Sequence, residues 1–404
     1  LIAKLRTRER IAAASPALKF VVVVGVMSFF ADFTYEGSRS ILGPFLATLG
    51  ASALAISVIT GAGEFLGYAL RLFTGRAADR TQRYWPITIG GYVLQMSVVP
   101  LLALAHSLAL AAALIILERC GKAVRNPSRD AMLSHAAKQI GYGKAFGLNE
   151  ALDQFGAMFG PLLVALVLTL SHGQYQLAFA SLAVPAVLTL IMLLIARLQF
   201  PRPHELSAGP AHVTTSGLPR VFWIYLAGAA LCGAGFADYP LIAYHFDQAH
   251  TVSTLIVPVF YAVAMAVSGV GSLIFGRLYD RAGIGVLLPL TVVAAGYAPL
   301  VFLGGFWPAL AGMALWGLGM GVQESIIPAA VAPMVSPDRR ASAYGLFTGA
   351  YGTAWFLGSV VIGLLFSVSL GAIVAFCIAA ELAALPFLLL VRRRIAAGGE
   401  TAAD

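Results

Sequence analysis

The chain has 404 residues, of which 59% are hydrophobic and only 11% charged, with a mean hydropathy of +0.86. Soluble domains carry about 25% charged residues, so this composition excludes an ordinary soluble fold and points to a chain that lives in lipid. The net charge of +8 does not argue for nucleic acid, because the basic residues gather in loops on one side of the apolar runs.

Those runs have the length of spanning helices, about 20 residues each. They predict twelve spans at about 18–47, 53–77, 85–105, 108–129, 144–170, 175–197, 220–246, 253–277, 285–305, 307–329, 341–367 and 370–391. Ahead of the first, Lys4, Arg6, Arg8 and Arg10 are followed by no short apolar region with a small-residue cleavage site, so no cleavable signal peptide is expected.

Span 1 carries Asp32, Glu36 and Arg39 at i, i+4 and i+7, one helical face. Charge at membrane depth is costly and faces a protein or water-filled interior, so these three predict a polar pathway. A structural Glu36–Arg39 pair packed between helices is the other reading the spacing allows. Span 2 holds Glu64 and Arg71, two turns apart and a candidate buried pair. In span 4, Glu118, Lys122, Arg125 and Arg129 form one stripe with Arg119 a step aside. Arg125 and Arg129 are expected near the cytoplasmic helix end, either snorkelling to the interface or pairing with Glu150 and Asp153 of span 5; the deeper Glu118, Arg119 and Lys122 are candidates for an anion-binding or carboxylate-tuning role. Cys120, Cys232 and Cys377 fit no metal or disulfide spacing and read as small buried hydrophobes.

Arg76, Arg80 and Arg83, Lys138 and Lys144, Arg197, Arg202 and Arg220, Arg277 and Arg281, Arg339 and Arg340, and Arg392 to Arg394 all fall on one side. The opposite loops, near 48–52, 106, 172, 248–252, 306 and 368, contain no Lys or Arg. By the positive-inside rule both termini are expected in the cytoplasm. Residues 198–219, rich in Pro, Gly, Ser and Thr, read as a cytoplasmic linker. They divide the chain into an N-terminal six-helix bundle (1–197) and a C-terminal one (220–391), with a tail at 392–404.

The halves repeat. Gly75-Arg76-Ala77-Ala78-Asp79-Arg80 recurs as Gly276-Arg277-Leu278-Tyr279-Asp280-Arg281, Phe30-Ala31-Asp32-Phe33 as Phe236-Ala237-Asp238-Tyr239, and Ala145-Phe146-Gly147-Leu148 as Ala343-Tyr344-Gly345-Leu346. Three matches in the same order indicate a duplicated unit, as in secondary transporters with a midplane site between halves.

Gly75, Asp79, Arg80 and Arg83 spell G-x-x-x-D-R-x-x-R, with a degenerate copy at Gly276, Asp280 and Arg281. With twelve spans, cytoplasmic termini and a central linker, this resembles the major facilitator superfamily over essentially the whole chain. The resemblance implies an all-α polytopic membrane protein of twelve helices in two pseudo-symmetric six-helix bundles, the signature loops acting as conformational gates. Gly156 to Pro161 resembles the fifth-helix G-x-x-x-G-P signature of proton-driven exporters, although Val164-Ala165 stand where that pattern ends in Gly-Gly. Two glycines four apart also let helices pack closely whatever the function.

In that family helices 1, 4, 7 and 10 line the central cavity. The implied candidates are Asp32, Glu36 and Arg39; Glu118, Arg119 and Lys122; Asp238, Tyr239, Tyr244 and His245; and Trp316, Gln323 and Glu324. Asp32, Glu36 and Asp238 are the candidate proton carriers, with Asp32 favoured because Arg39 lies closer in spacing to Glu36. His245 lies near the outer end, where a neutral His also serves simply to cap its helix.

The expected function is secondary transport of a small organic solute by alternating access, as proton-coupled export. Proton-coupled uptake of an anionic metabolite, suggested by Arg119 and Lys122, is the alternative, and a non-transporting receptor on the same fold a distant one. Without a nucleotide-binding loop or a metal-ligand motif, no enzyme activity, metal or cofactor is expected, and the coupling ion is the proton. The expected setting is the lipid bilayer of a bacterial inner membrane, as a monomer with a small-molecule substrate and no nucleic acid.

Overall fold

A computed structural model describes residues 16–81, 83–140, 142–201, 217–331, 334–335 and 340–400. The crossings are α1 (Pro16–Arg39), α2 (Ala53–Thr81), α3 (Tyr84–Leu101), α4 (Leu108–Ile140), α5 (Tyr142–Leu170), α6 (Ala183–Gln199), α7 (Arg220–Ala234), α8 (Val257–Ala282), α9 (Leu287–Ala295), α10 (Phe306–Gly321), α11 (Arg340–Phe366) and α12 (Leu370–Glu400). Short helices Leu42–Thr48, Tyr175–Ser181, Tyr239–Gln248 and Tyr297–Leu303 extend α1, α6, α7 and α9. Among the described residues, eleven helical segments are long and apolar enough to cross a membrane. The exception is α4, in which Glu118, Arg119, Lys122 and Arg125 interrupt the apolar run; it packs beside α2 and α3 along the same bundle.

Among the described residues four expected spans are divided: α6 and α9 at Leu182 and Gly296, where the backbone stays helical, and α1 and α7 more sharply. α1 ends at Arg39, where the Ser40 hydroxyl donates to the Gly37 carbonyl at 2.6 Å, and a short helix resumes at Leu42. α7 ends at Ala234 and resumes at Tyr239, with Asp238 extended at φ −63° and ψ 138°. Pro240 stands in the first turn of the resumed helix, where a missing backbone N–H costs no intrahelical hydrogen bond and proline is tolerated. At the other end of the chain α12 runs through the expected tail as far as Glu400. Most of the linker lies outside the described residues.

Each half has its own apolar core. One runs through the last six crossings, from Phe222 and Tyr225 to Leu388 and Val391. Two fill the first six, around Phe20, Tyr92 and Met132 and around Phe45, Val99 and Phe179. The halves meet along α2–α11, along α5–α8, and where Leu42–Thr48 packs on Tyr239–Gln248. In that last contact, at the end whose loops lack Lys and Arg, a Cβ on Gly43 would strike the Pro240 carbonyl oxygen. Only glycine lets the two backbones come so close.

α1 lies along α5 by the same device. A Cβ on Gly156 would meet the Phe29 carbonyl, and one on Gly160 the Phe33 carbonyl and, at 2.9 Å, the Gly37 amide. The helix-5 glycines thus press α5 onto the helix that bears Asp32, Glu36 and Arg39.

Candidate functional site

Between the halves lies a cavity of about 550 Å³. It is closed at the Gly43–Pro240 end, and its lining reaches Arg129, Asp130, Glu150 and Tyr344 toward the end with basic loops. The two halves line it differently. The first supplies charge: Asp32, Glu36 and Arg39 of α1, Glu64 and Arg71 of α2, and Arg119, Lys122, Arg125 and Arg129 of α4. The second supplies Tyr344, Phe347, Tyr351 and Trp355 from α11 and Met265 from α8, with Glu324 its only charged lining residue among the described ones.

Arg39 is the centre of the polar network. Its guanidinium lies 3.6 Å from Glu64, 3.9 Å from Glu36 and 3.9 Å from Asp238. Glu64 in turn receives Arg119 at 2.9 Å, and Arg119 lies 3.5 Å from Glu118. The Gln95 amide nitrogen donates to Glu118 at 2.6 Å, and its oxygen accepts from Arg125 Nε at 2.5 Å. Arg125 also donates to the Tyr92 hydroxyl at 2.9 Å and lies 3.6 Å from Asp32. Over the Tyr35 ring sit Lys122 Nζ at 3.7 Å and the Arg119 guanidinium at 4.7 Å, within the range of a cation–π contact.

Among the described residues, three polar contacts cross from one half to the other, one at Glu36 and two at Asp238. The Tyr261 hydroxyl of α8 donates to Glu36 at 2.5 Å. Asp238, 2% exposed, faces Arg39 and accepts hydrogen bonds from Trp355 Nε1 at 2.9 Å, the Ser359 hydroxyl at 3.0 Å and the Thr60 hydroxyl at 3.3 Å. It is satisfied by side chains of α2 and α11, not by capping its own short helix.

Beyond α10, Val322–Ile326 forms a π turn. Such turns insert one extra residue and are frequent at functional sites. Here the turn places both Gln323 and Glu324 on the cavity. The Tyr351 hydroxyl donates to Gln323 Oε1. Among the described residues, neither Glu324 nor Lys122 across the cavity has an ion-pair partner.

The sequence candidates fall into three groups. Asp32, Glu36, Arg39, Arg119, Lys122, Gln323 and Glu324 line the cavity. Glu118 and Asp238 lie behind the lining, in the network. Tyr239, Tyr244, His245 and Trp316 do not line it. Tyr239 donates to the Val257 carbonyl at 2.8 Å and Trp316 to the Ala237 carbonyl at 2.9 Å, both fully buried. Tyr244 packs on Phe366 near the closed end, and buried His245 stands against Phe302.

Several expected pairings are different. Asp32 is held by Arg125 rather than left unpaired, and Glu64 is held by Arg119 and Arg39 rather than by Arg71. Arg129 does approach Asp153, at 3.8 Å, as the spacing suggested. The residues expected in gate loops are helical instead, Gly75 and Arg80 in the last turns of α2 and Gly276 and Arg281 in those of α8, with Arg83 just beyond α2. An ideal Cβ on Gly75 lies 3.6 Å from Pro127, one on Gly276 meets nothing, and Arg80, Arg83 and Arg281 are exposed. The side chains of Asp79 and Asp280 lie outside the described residues. Residues that sequence reasoning passed over include Tyr35, Gln95, Tyr261 and the α11 aromatics. The last were visible in principle: Tyr344, Phe347, Tyr351 and Trp355 recur at helical spacing on one face.

Two helical halves around a charged central cavity, closed at one end and held by breakable polar ties, define a secondary transporter. Residues 24–322 match the profile of the Major Facilitator Superfamily, and the chain belongs to that family. It is 41% identical, over 95% of its length and 96% of the relative's, to an uncharacterised protein of Mycobacterium tuberculosis. It is 26% identical to an uncharacterised MFS-type transporter of Methanocaldococcus jannaschii, over 87% of this chain and 89% of that one. In fold it is similar to the nucleoside transporter NupG, with a TM-score of 0.71 at 16% identity, covering 93% of this chain and 98% of that one. A bacterial homolog of the human lysosomal transporter Spinster, in an inward-facing, unoccupied conformation, gives a TM-score of 0.69 at 16% identity over 94% and 96% of the two chains. The protein is therefore a multi-span membrane transporter of some solute, and its family is one of transporters rather than enzymes.

Proposed function

We propose that this transporter carries a small polar organic solute with an acidic group beside an apolar or aromatic part, coupled to protons, by alternating access. The observation that carries the reading is the division of the cavity lining. Lys122 faces the cavity without an ion-pair partner among the described residues, whereas α11 offers a wall of aromatic rings. An anionic group matches the first and a flat apolar group the second. Glu324 is the proposed proton carrier, because it reaches the cavity from the π turn and no basic side chain among the described residues holds it. Glu36 and Asp238 are proposed as the groups whose cross-half ties must open when the outer end opens.

The setting follows the basic loops: a bacterial plasma membrane, both termini cytoplasmic, the bundles bounded by the 198–219 linker, and the cavity open to the cytoplasm in this state. Export in exchange for protons is the preferred direction, supported by the helix-5 signature at Gly156, Gly160 and Pro161. Proton-coupled uptake of an anionic metabolite is the second reading, favoured by Lys122 and by Arg71, which also faces the cavity outside any ion pair among the described residues.

A thermal-shift screen of the purified protein against organic acids, zwitterions and lipophilic cations tests the solute class. A solute present at about 100 times its Kd stabilises the folded protein by about 2.7 kcal/mol. Aromatic organic acids are expected to raise the melting temperature of the native protein and not of Lys122→Gln. In proteoliposomes with a pH gradient, such a hit is expected to move protons through the native protein and not through Glu324→Gln. Stabilisation by lipophilic cations alone, unaffected by Lys122→Gln, overturns the solute assignment; solute flux without proton movement overturns the coupling. The sign of proton movement on solute addition separates export from uptake.

A further inference from the structure

One ionisable group inside the spans belongs to none of the networks above. Glu381 of α12 is 3% exposed, makes no ion pair among the described residues, and its Oε1 has no hydrogen-bond partner there. It lines a second, small cavity of about 20 Å³ together with Cys232 of α7, Leu290, Thr291 and Ala294 of α9, and Gln323 of the π turn. Room on that scale holds about one water molecule.

Gln323 lines both cavities. The π turn therefore stands as a partition: Glu324 faces the central cavity on one side, and Glu381 lies behind Gln323 on the other. Among the described residues, the Tyr225 and Ser272 hydroxyls hold the ends of the turn at the Ile327 and Gly321 carbonyls, at 2.7 and 3.4 Å, and the Tyr351 hydroxyl holds the Gln323 side chain itself. Tyr351 belongs to α11, which packs on α2 of the opposite half. Sliding of α11 against α2 would move that latch.

The titratable groups facing Glu381 are Cys232 from α7, Tyr297 from the Tyr297–Leu303 helix and Cys377 from its own helix. Tyr297 is committed elsewhere: its hydroxyl accepts from the Ala237 amide at 2.8 Å and donates to the Gly235 carbonyl at 3.1 Å. Among the described residues, no basic side chain approaches from α7, α9, α11, the π turn or Tyr297–Leu303. An unpaired ionised carboxyl is costly to bury away from water, so this closed packet suits the neutral acid. A purely apolar packing role would be served better by Leu, and a charged group inside the membrane is a functional candidate by default.

We propose that Glu381 is a second proton-binding site, reached from the central cavity through the Gln323 π turn and loaded or emptied as that turn moves. The proposal rests on the proton-coupled reading above, but it is tested separately with the proton itself as the probe. Infrared difference spectra of the full chain in lipid nanodiscs, taken across an acid-to-alkaline titration, read the C=O stretch of protonated carboxyls. Glu381→Gln is expected to remove one component of that difference signal, distinct from the one removed by Glu324→Gln. Gln323→Leu, which keeps the glutamate and its folding context, is expected to slow deuterium exchange at the Glu381 carboxyl severalfold. A signal unchanged by Glu381→Gln means that this carboxyl never titrates and overturns the site. Exchange unchanged by Gln323→Leu overturns the route. Loss of the Glu324 component alone leaves the coupled-transport reading standing while this inference fails, and a native spectrum without any carboxyl change removes both.

Discussion

Arg39 stands among Glu36, Glu64 and Asp238, all within 3.9 Å, and it is 4% exposed. Removing one partner of a buried pair leaves the others uncompensated, at a cost of about 3–5 kcal/mol. Arg39→Met is therefore expected to lower the melting temperature far more than Tyr261→Phe, which deletes one hydrogen bond to a charged group, worth about 1.5–3 kcal/mol. Equal losses would show that the cluster does not centre on Arg39. A second expectation concerns which acid carries the proton. Asp32 faces Arg125 at 3.6 Å, so Asp32→Asn is expected to weaken folding while leaving the pH dependence of transport in place. Glu324→Gln is expected to flatten it, and transport assayed across pH with both variants decides between them. At this scale the sequence was half legible. Helical spacing brought Asp32, Glu36 and Arg39 to one face, because that is a property of one helix. Partners on other helices, such as Arg125 for Asp32 or Tyr261 for Glu36, are set by packing that linear spacing does not encode.

At the scale of elements, the packing of α5 on α1 is a tight constraint. Gly160 sits against the Phe33 backbone, where no side-chain rotation can relieve an added methyl group. Gly160→Ala is expected to destabilise by about 1–3 kcal/mol, the usual range for overpacking. Gly90→Ala, with open space around its Cβ position, is the control and is expected to be neutral or slightly stabilising. Similar melting temperatures for the two variants would contradict the packing account. The Gly156–Gly160 spacing announced a close helix contact in the sequence, and the contact is there. The breaks after Arg39 and Ala234 were less legible, since each interrupts an apolar run whose hydropathy barely changes. Pro240 was a clue to the second. The π turn at Val322–Ile326 left no periodic signature in a glycine-rich, uniformly apolar helix.

For the molecule as a whole, composition, span count, basic-loop asymmetry and internal repeats made the architecture readable, because lipid demands long apolar helices whatever the solute. The state of the cavity was not readable. Its closure depends on Leu42–Thr48 meeting Tyr239–Gln248, segments separated by half the chain. In the proposed cycle this closed end opens as the other closes, with proton binding as the trigger. The most direct test is distance measurement by double electron–electron resonance in a Cys120→Ala background. Spin labels at exposed Ser52 and Ser253 report the end lacking basic loops, and labels at exposed Arg83 and Arg281 report the opposite end. Reciprocal changes are expected between alkaline and acid pH, one distance lengthening as the other shortens, with the shift lost in Glu324→Gln. Distances that stay fixed, or that lengthen at both ends together, would contradict the cycle.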